Sequence, residues 1–192
     1  MIRVAAMTGQ AVLDSLKGVA ALRIAVFRDW PYLYDGDLAY ESTYLKAYTK
    51  PGAVIVGAWD GSTFVGASTG APMEDHAADF ATGLPVDWDL TQVFYCAESV
   101  LLPQYRGQGI GHQFFDFRES HARALGRSKV CFCSVIRDPG HPLCPSDYRP
   151  LDPFWTQRGY APVPGAVAQF SWKDRGDATE TFKSLQFWAR DL

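Results

Sequence analysis

Val100-Leu101-Leu102-Pro103-Gln104-Tyr105-Arg106-Gly107-Gln108-Gly109-Ile110-Gly111 carries an apolar strand into a glycine-rich turn, and the turn into a helix. Glycines at 107, 109 and 111 let the backbone turn tightly and bring its N–H groups outward with no Cβ in the way. A helix that starts there adds unpaired donors and the positive end of its dipole. The stretch reads as an anion site suited to a pyrophosphate.

Two other phosphate loops do not fit. A P-loop needs Gly-Lys-Ser/Thr after its spacer, and no such lysine occurs here. A dinucleotide fingerprint is G-x-G-x-x-G on the first strand of its fold, whereas this is G-x-G-x-G past mid-chain. Outward from the turn, the pattern reads as strands over 2–7, 53–59, 63–71, 93–102, 130–136, 167–172 and 184–190. Asp60-Gly61 joins the second and third as a hairpin. Helices are expected over 10–27, capped by Thr8, and over 38–50, stopped by Pro51-Gly52. Further helices are expected over 109–125, closed by Gly126, and 153–158, with another around 74–82. The order β, α, α, β, β, β, α, β, α, β, β predicts one α/β domain over 1–192, a mixed sheet with helices on both faces.

Composition narrows the function classes. The 192 residues are 47% hydrophobic and 20% charged, with a net charge of −3. Nothing offers the basic face that nucleic acid requires, and no lysine or arginine run invites an acidic membrane. The first residues lack a signal-peptide layout, and no apolar stretch approaches a bilayer span, so a cytoplasmic protein is expected. Cys131-Phe132-Cys133 places two thiols on one strand face, unlike a zinc knuckle or redox pair. Cys96, Cys131, Cys133 and Cys144 read as reduced cysteines without a disulfide framework, and His76, His112 and His141 show no metal-ligand spacing.

Arg106-Gly107-Gln108-Gly109-Ile110-Gly111 resembles the Arg/Gln-x-x-Gly-x-Gly/Ala signature of the GCN5-related N-acetyltransferase (GNAT) superfamily, and the element order resembles that fold. The resemblance implies a transferase using acetyl-CoA, or another acyl-coenzyme A, as cosubstrate, with no metal. Backbone groups of Arg106, Gly107, Gln108, Gly109, Ile110 and Gly111 would hold the pyrophosphate. Ser99, Val100 and Leu101 would pair with the pantetheine arm like an added strand, and an N–H near Ser99 would polarise the thioester carbonyl. A small-molecule amine is the expected acceptor, and the sequence leaves a homodimer open.

Glu98 is the candidate base. It lies on a strand apolar on both faces, where an acid is costly unless paired or used, and where desolvation raises a carboxyl pKa towards a useful range. The alternative is a buried ion pair or a loop cap. The superfamily often has a tyrosine four residues before a glycine in its last helix that protonates the leaving thiolate; Trp155 stands there, and indole cannot serve. Trp155 is expected against the pantetheine or the core, with Tyr148 or water as substitute acid. His121 reads as a core histidine, while Asp138 and His141 lie in a loop that often meets substrate in this fold. Between Trp30 and Glu41, aromatics alternate with Asp35, Asp37 and Glu41, a pattern suited to a cationic amine. Competing readings are a non-catalytic acyl-CoA binder and acylation of a protein amino terminus or a hydroxyl.

Overall fold

The computed structural model describes residues 1–80 and 83–192. The elements, in chain order, are β1 (Ile2–Met7), α1 (Gln10–Phe27), α2 (Leu38–Tyr44), β2 (Val54–Asp60), β3 (Thr63–Pro72), β4 (Val93–Tyr95), β5 (Ser99–Leu101), α3 (Ile110–Ala124), β6 (Lys129–Val135), α4 (Asp152–Gln157), β7 (Ala161–Trp172) and β8 (Thr181–Asp191). They form one 8-stranded sheet ordered β1-β2-β3-β4-β6-β8-β7, with β5 beside β3. Among the described residues only β4 and β6 run parallel; the other pairs are antiparallel.

The alternation of strand side chains sorts the core onto two faces. Val54, Val56, Phe94, Val130 and Phe132 face α3 and meet its Ile110, Phe114, Phe115 and Ala122. Ile55, Ala67 and Val100 face the other way, against Val12, Val19 and Leu22 of α1. Cys131 and Cys133 lie beyond them on that second face with Tyr95 and Phe187. Both thiols are buried and free, and burial pushes their pKa values well above the ordinary range. His121 is a packing residue: its Nε2 stands 3.0 Å from the Gly52 carbonyl and its ring lies against Phe94.

Several sequence expectations need correction. Helix α1 has the expected range, but its cap is Gly9 at φ 56° with no side-chain hydrogen bond, rather than Thr8. The second helix ends at Tyr44 and tightens into a 3-10 turn over Leu45–Thr49. Around 74–82 the chain makes a 3-10 turn at Met73–His76, and residues 81 and 82 lie outside the described part. The closing strands are longer than expected: β7 pairs with β8 on both sides of an irregularity between Pro162 and Val167, and β8 also pairs with β6 over residues 185–191. The largest departure is at 93–102, which is not one strand. The ladder breaks at Cys96–Glu98, leaving β4 and β5 as separate pieces.

The connection between α1 and α2 is tied to the far end of the sheet by a charged cluster. Arg137 donates to the Pro31 and Tyr32 carbonyls and pairs with Asp174, which also meets Lys183. Burial pushes the Asp174 carboxyl upward, but hydrogen bonds and charges from Arg137 and Lys183 outweigh it, so its pKa lies below the ordinary value. A depressed carboxyl contributes stability above its unfolded-state pKa of about 3.9, and that contribution is lost as pH falls through the folded value. Asp174→Asn should therefore unfold more readily than the parent at neutral pH, and the gap should close below about pH 4, as urea titrations at several pH values would measure.

Candidate active site

The site lies where β5 parts from β6. β4 pairs with β6 through Tyr95↔Cys131, and the Cys96 amide still donates to the Cys131 carbonyl at 2.8 Å. Past that point, among the described residues, β6 pairs only with β8 and β5 only with β3. The Leu102 amide donates to Val65 of β3 at 3.1 Å. Strand alternation therefore turns the backbone groups of Leu101 and Ser99 towards the gap. Among the described residues one side of β5 is an unpaired strand edge, with Ser99 exposed and Leu101 half-buried.

The glycine turn lies at the mouth of this gap. Gly107 and Gly109 have φ of 74° and 77°, the left-handed region that glycine occupies without strain. Gly109 caps α3, and no side chain hydrogen-bonds the helix's first amides. Gly111 stands differently: an added Cβ would meet only Phe154, at an ordinary 3.6 Å. Arg106 is exposed and turns its Nε to the Leu101 carbonyl at 3.3 Å, and Gln108 donates to the Gln104 carbonyl at 3.4 Å. Ile110 points inward to the core, so from this residue the turn offers its backbone alone.

Glu98 lies in the break between the two strands, 7% exposed. Its Oε2 accepts from the Tyr44 hydroxyl at 3.0 Å and from Tyr48 at 3.5 Å. Its Oε1 lies 2.9 Å from Arg23 Nη1, close enough for an ion pair although the approach is not that of a hydrogen bond. Arg23 also donates to Glu41, which is fully buried. Glu98 is thus both buried and paired. Burial, and next the charge of Glu98, holds the Tyr44 hydroxyl well above the ordinary tyrosine range.

On the opposite face, Arg118 of α3 is 1% exposed and reaches the same break. It donates to the carbonyls of Phe114, Thr69 and Glu98 and to the Ser99 hydroxyl. Sequence reading missed Arg23, Tyr44, Tyr48 and Arg118. For the two arginines a signal existed: each interrupts the apolar stripe of its helix, Arg23 between Val19 and Phe27, Arg118 between Phe114 and Ala122.

Other candidates stand apart from this cluster. Trp155 packs on Phe132 and Trp188 at ring distances of 4.9 and 5.2 Å. Tyr148 is in the loop after β6, edge-on to Trp30. Asp138 accepts from the Gly140 amide and His141 Nδ1 from the Leu143 amide, so both serve local turns. The carboxylates expected to receive an amine are all engaged within the chain. Asp35 pairs with Lys173 and Arg28, Asp37 caps α2 through the Ala39 and Tyr40 amides, and Glu41 pairs with Arg23.

No family model and no curated protein matches the chain. Solved structures do. A Brucella melitensis ribosomal-protein-alanine N-acetyltransferase superposes with a TM-score of 0.63 at 14% identity, covering 100% of this chain and 99% of its own. An aminoglycoside 6'-N-acetyltransferase complexed with coenzyme A gives 0.60 at 15% identity, covering 98% and 96%. A Salmonella typhimurium protein described as an acetyltransferase, solved with acetyl-CoA, gives 0.62 at 10% identity, covering 100% and 94%. The fold is therefore that of the GNAT acetyltransferases.

Removing one member of a buried ionic group leaves the rest unpaired. Arg23→Met would strand Glu41 and Glu98 without a cation and should lower stability by about 3–5 kcal/mol, measured by urea unfolding at neutral pH.

Proposed function

We propose that this protein transfers an acetyl or short acyl group from coenzyme A to a primary amine of a small molecule, directly within a ternary complex. One observation carries the reading: an unpaired strand edge at Ser99–Leu101 runs towards a helix N-terminus left open by Gly107 and Gly109. The extended pantetheine arm can add to that edge as a strand would, through the backbone groups of Ser99 and Leu101, with Val100 fixing the strand in the core. Its pyrophosphate then meets the amides from Arg106 to Gly111. The likeness to structures solved with acetyl-CoA and coenzyme A supports this donor. No metal takes part in the proposed chemistry.

In this reading the thioester carbonyl lies by the Ser99 amide, which donates to the developing oxyanion. An alkylammonium must lose a proton before it can attack. Glu98 takes that proton, directly or through the Tyr44 hydroxyl, which its surroundings keep protonated and able to relay. The C–N bond forms, the C–S bond breaks, and the departing thiolate becomes a thiol with the nitrogen's second proton, passed through water. A thiol pKa of about 8.5 makes unassisted departure feasible, so Trp155 need not replace the usual acid. It remains a wall of the core.

Isothermal titration with coenzyme A should show binding to the parent, and thiol release from acetyl-CoA should appear with a panel of amines. Gly109→Val places a β-branched residue at positive φ and should weaken coenzyme A binding roughly tenfold. Glu98→Gln should lower kcat by about 10²–10⁴-fold while sparing coenzyme A affinity. A folded parent that binds no coenzyme A refutes the reading. Binding without thiol release would instead favour an acyl-CoA sensor.

A further inference from the structure

Arg118 is a buried cation with no anionic partner among the described residues. Its four hydrogen bonds all end on neutral oxygens: Phe114 O at 3.2 Å, Thr69 O at 3.2 Å, Glu98 O at 3.1 Å and Ser99 Oγ at 2.9 Å. Burying a guanidinium without a carboxylate is costly, and an apolar residue would fill the same space more cheaply. The ring of Phe115, 4.6 Å from the guanidinium carbon, covers one face and offsets only part of that cost.

The bond to Glu98 gives the charge a use. The Glu98 carbonyl also accepts the Thr69 amide at 3.0 Å, so two donors draw on one oxygen. The Glu98–Ser99 peptide is trans, which sets its N–H opposite its C=O. With the carbonyl held against β3 and Arg118, the Ser99 amide is turned into the gap between β5 and β6. A hydrogen bond from a cation to an amide oxygen withdraws electron density and makes the N–H on the far side a stronger donor. The second anchor, on the Ser99 hydroxyl, fixes the same residue from its side chain.

We propose that Arg118 is a positioning residue for acyl transfer, which polarises the Glu98–Ser99 peptide and aims the Ser99 amide at the thioester carbonyl. This rests on the acyl-CoA reading of the gap. Arg118 stands about two turns along α3 from its N-terminus, away from the amides proposed to hold the pyrophosphate. Donor binding and carbonyl polarisation are therefore separable.

The test uses Arg118→Met and Arg118→Lys in the full chain, with folding checked by circular dichroism. Infrared spectra of acetyl-CoA labelled with ¹³C at the carbonyl, bound without an acceptor, should show a downshift in the parent. Both Arg118 variants should lose most of that shift, and kcat should fall about a hundredfold with little change in Kd for coenzyme A. A retained shift in a folded Arg118 variant, or a loss of kcat matched by an equal loss of coenzyme A affinity, overturns the proposal. Should neither variant fold, the parent decides it: the Ser99 amide proton should move downfield with acetyl-CoA relative to coenzyme A, and its failure to move overturns the proposal. A parent that binds neither ligand overturns the acyl-CoA reading itself, a result distinct from all the others.

Discussion

Two buried guanidinium groups, one from each face of the sheet, converge on Glu98. Arg23 of α1 meets its carboxylate and Arg118 of α3 meets its carbonyl oxygen. Helices on opposite sides of the sheet thus share one residue as a common anchor. A strand broken inside a sheet leaves backbone groups without ladder partners, and such groups are costly when buried. Here the Glu98 carbonyl accepts from Arg118 and from the Thr69 amide, and the Cys96 and Ala97 amides donate to the Cys131 and Thr69 carbonyls. These local bonds hold the break beside the gap between β5 and β6.

The same arrangement explains why the glycine turn can be spare. Holding β5 against β3 and α3 against the sheet is the work of Ile110, Phe114, Phe115 and Arg118. The turn between them therefore carries no packing role at Gly107 or Gly109, where an added Cβ would meet nothing within 4 Å. Only their backbone conformation is constrained, which fits a segment whose amides are kept for a ligand.

How far the sequence was readable follows from the range of the forces involved. Local patterns sufficed for α1, whose apolar spacing marks Gln10–Phe27, and for the hairpin at Asp60-Gly61. They failed at 93–102 because both halves are equally apolar, and hydrophobicity reports burial rather than which strand is the neighbour. At the break stands Arg118, distant in sequence and hidden in a helix. The reading of Glu98 held two alternatives, and the ion pair with Arg23 is present, again through a partner far along the chain. Asp35, Asp37 and Glu41 looked available for an acceptor because each finds its cation or amide only after folding.

The charges around Glu98 are unequal on the two faces, and that asymmetry bears on the proposed reaction. On the α1 side two carboxylates share one guanidinium, leaving a formal negative excess near Tyr44 and Tyr48. On the α3 side Arg118 is a lone positive charge. In the proposed reaction a cationic amine would be favoured on the first side, and negative charge building on a carbonyl oxygen towards the second. Low polarity between the faces strengthens both effects relative to water. Acyl transfer to an amine separates charge in that sense, since nitrogen becomes positive as oxygen becomes negative. Reversing the asymmetry would oppose the reaction even with every contact to coenzyme A intact, so the two arginines matter by their placement as well as by their bonds.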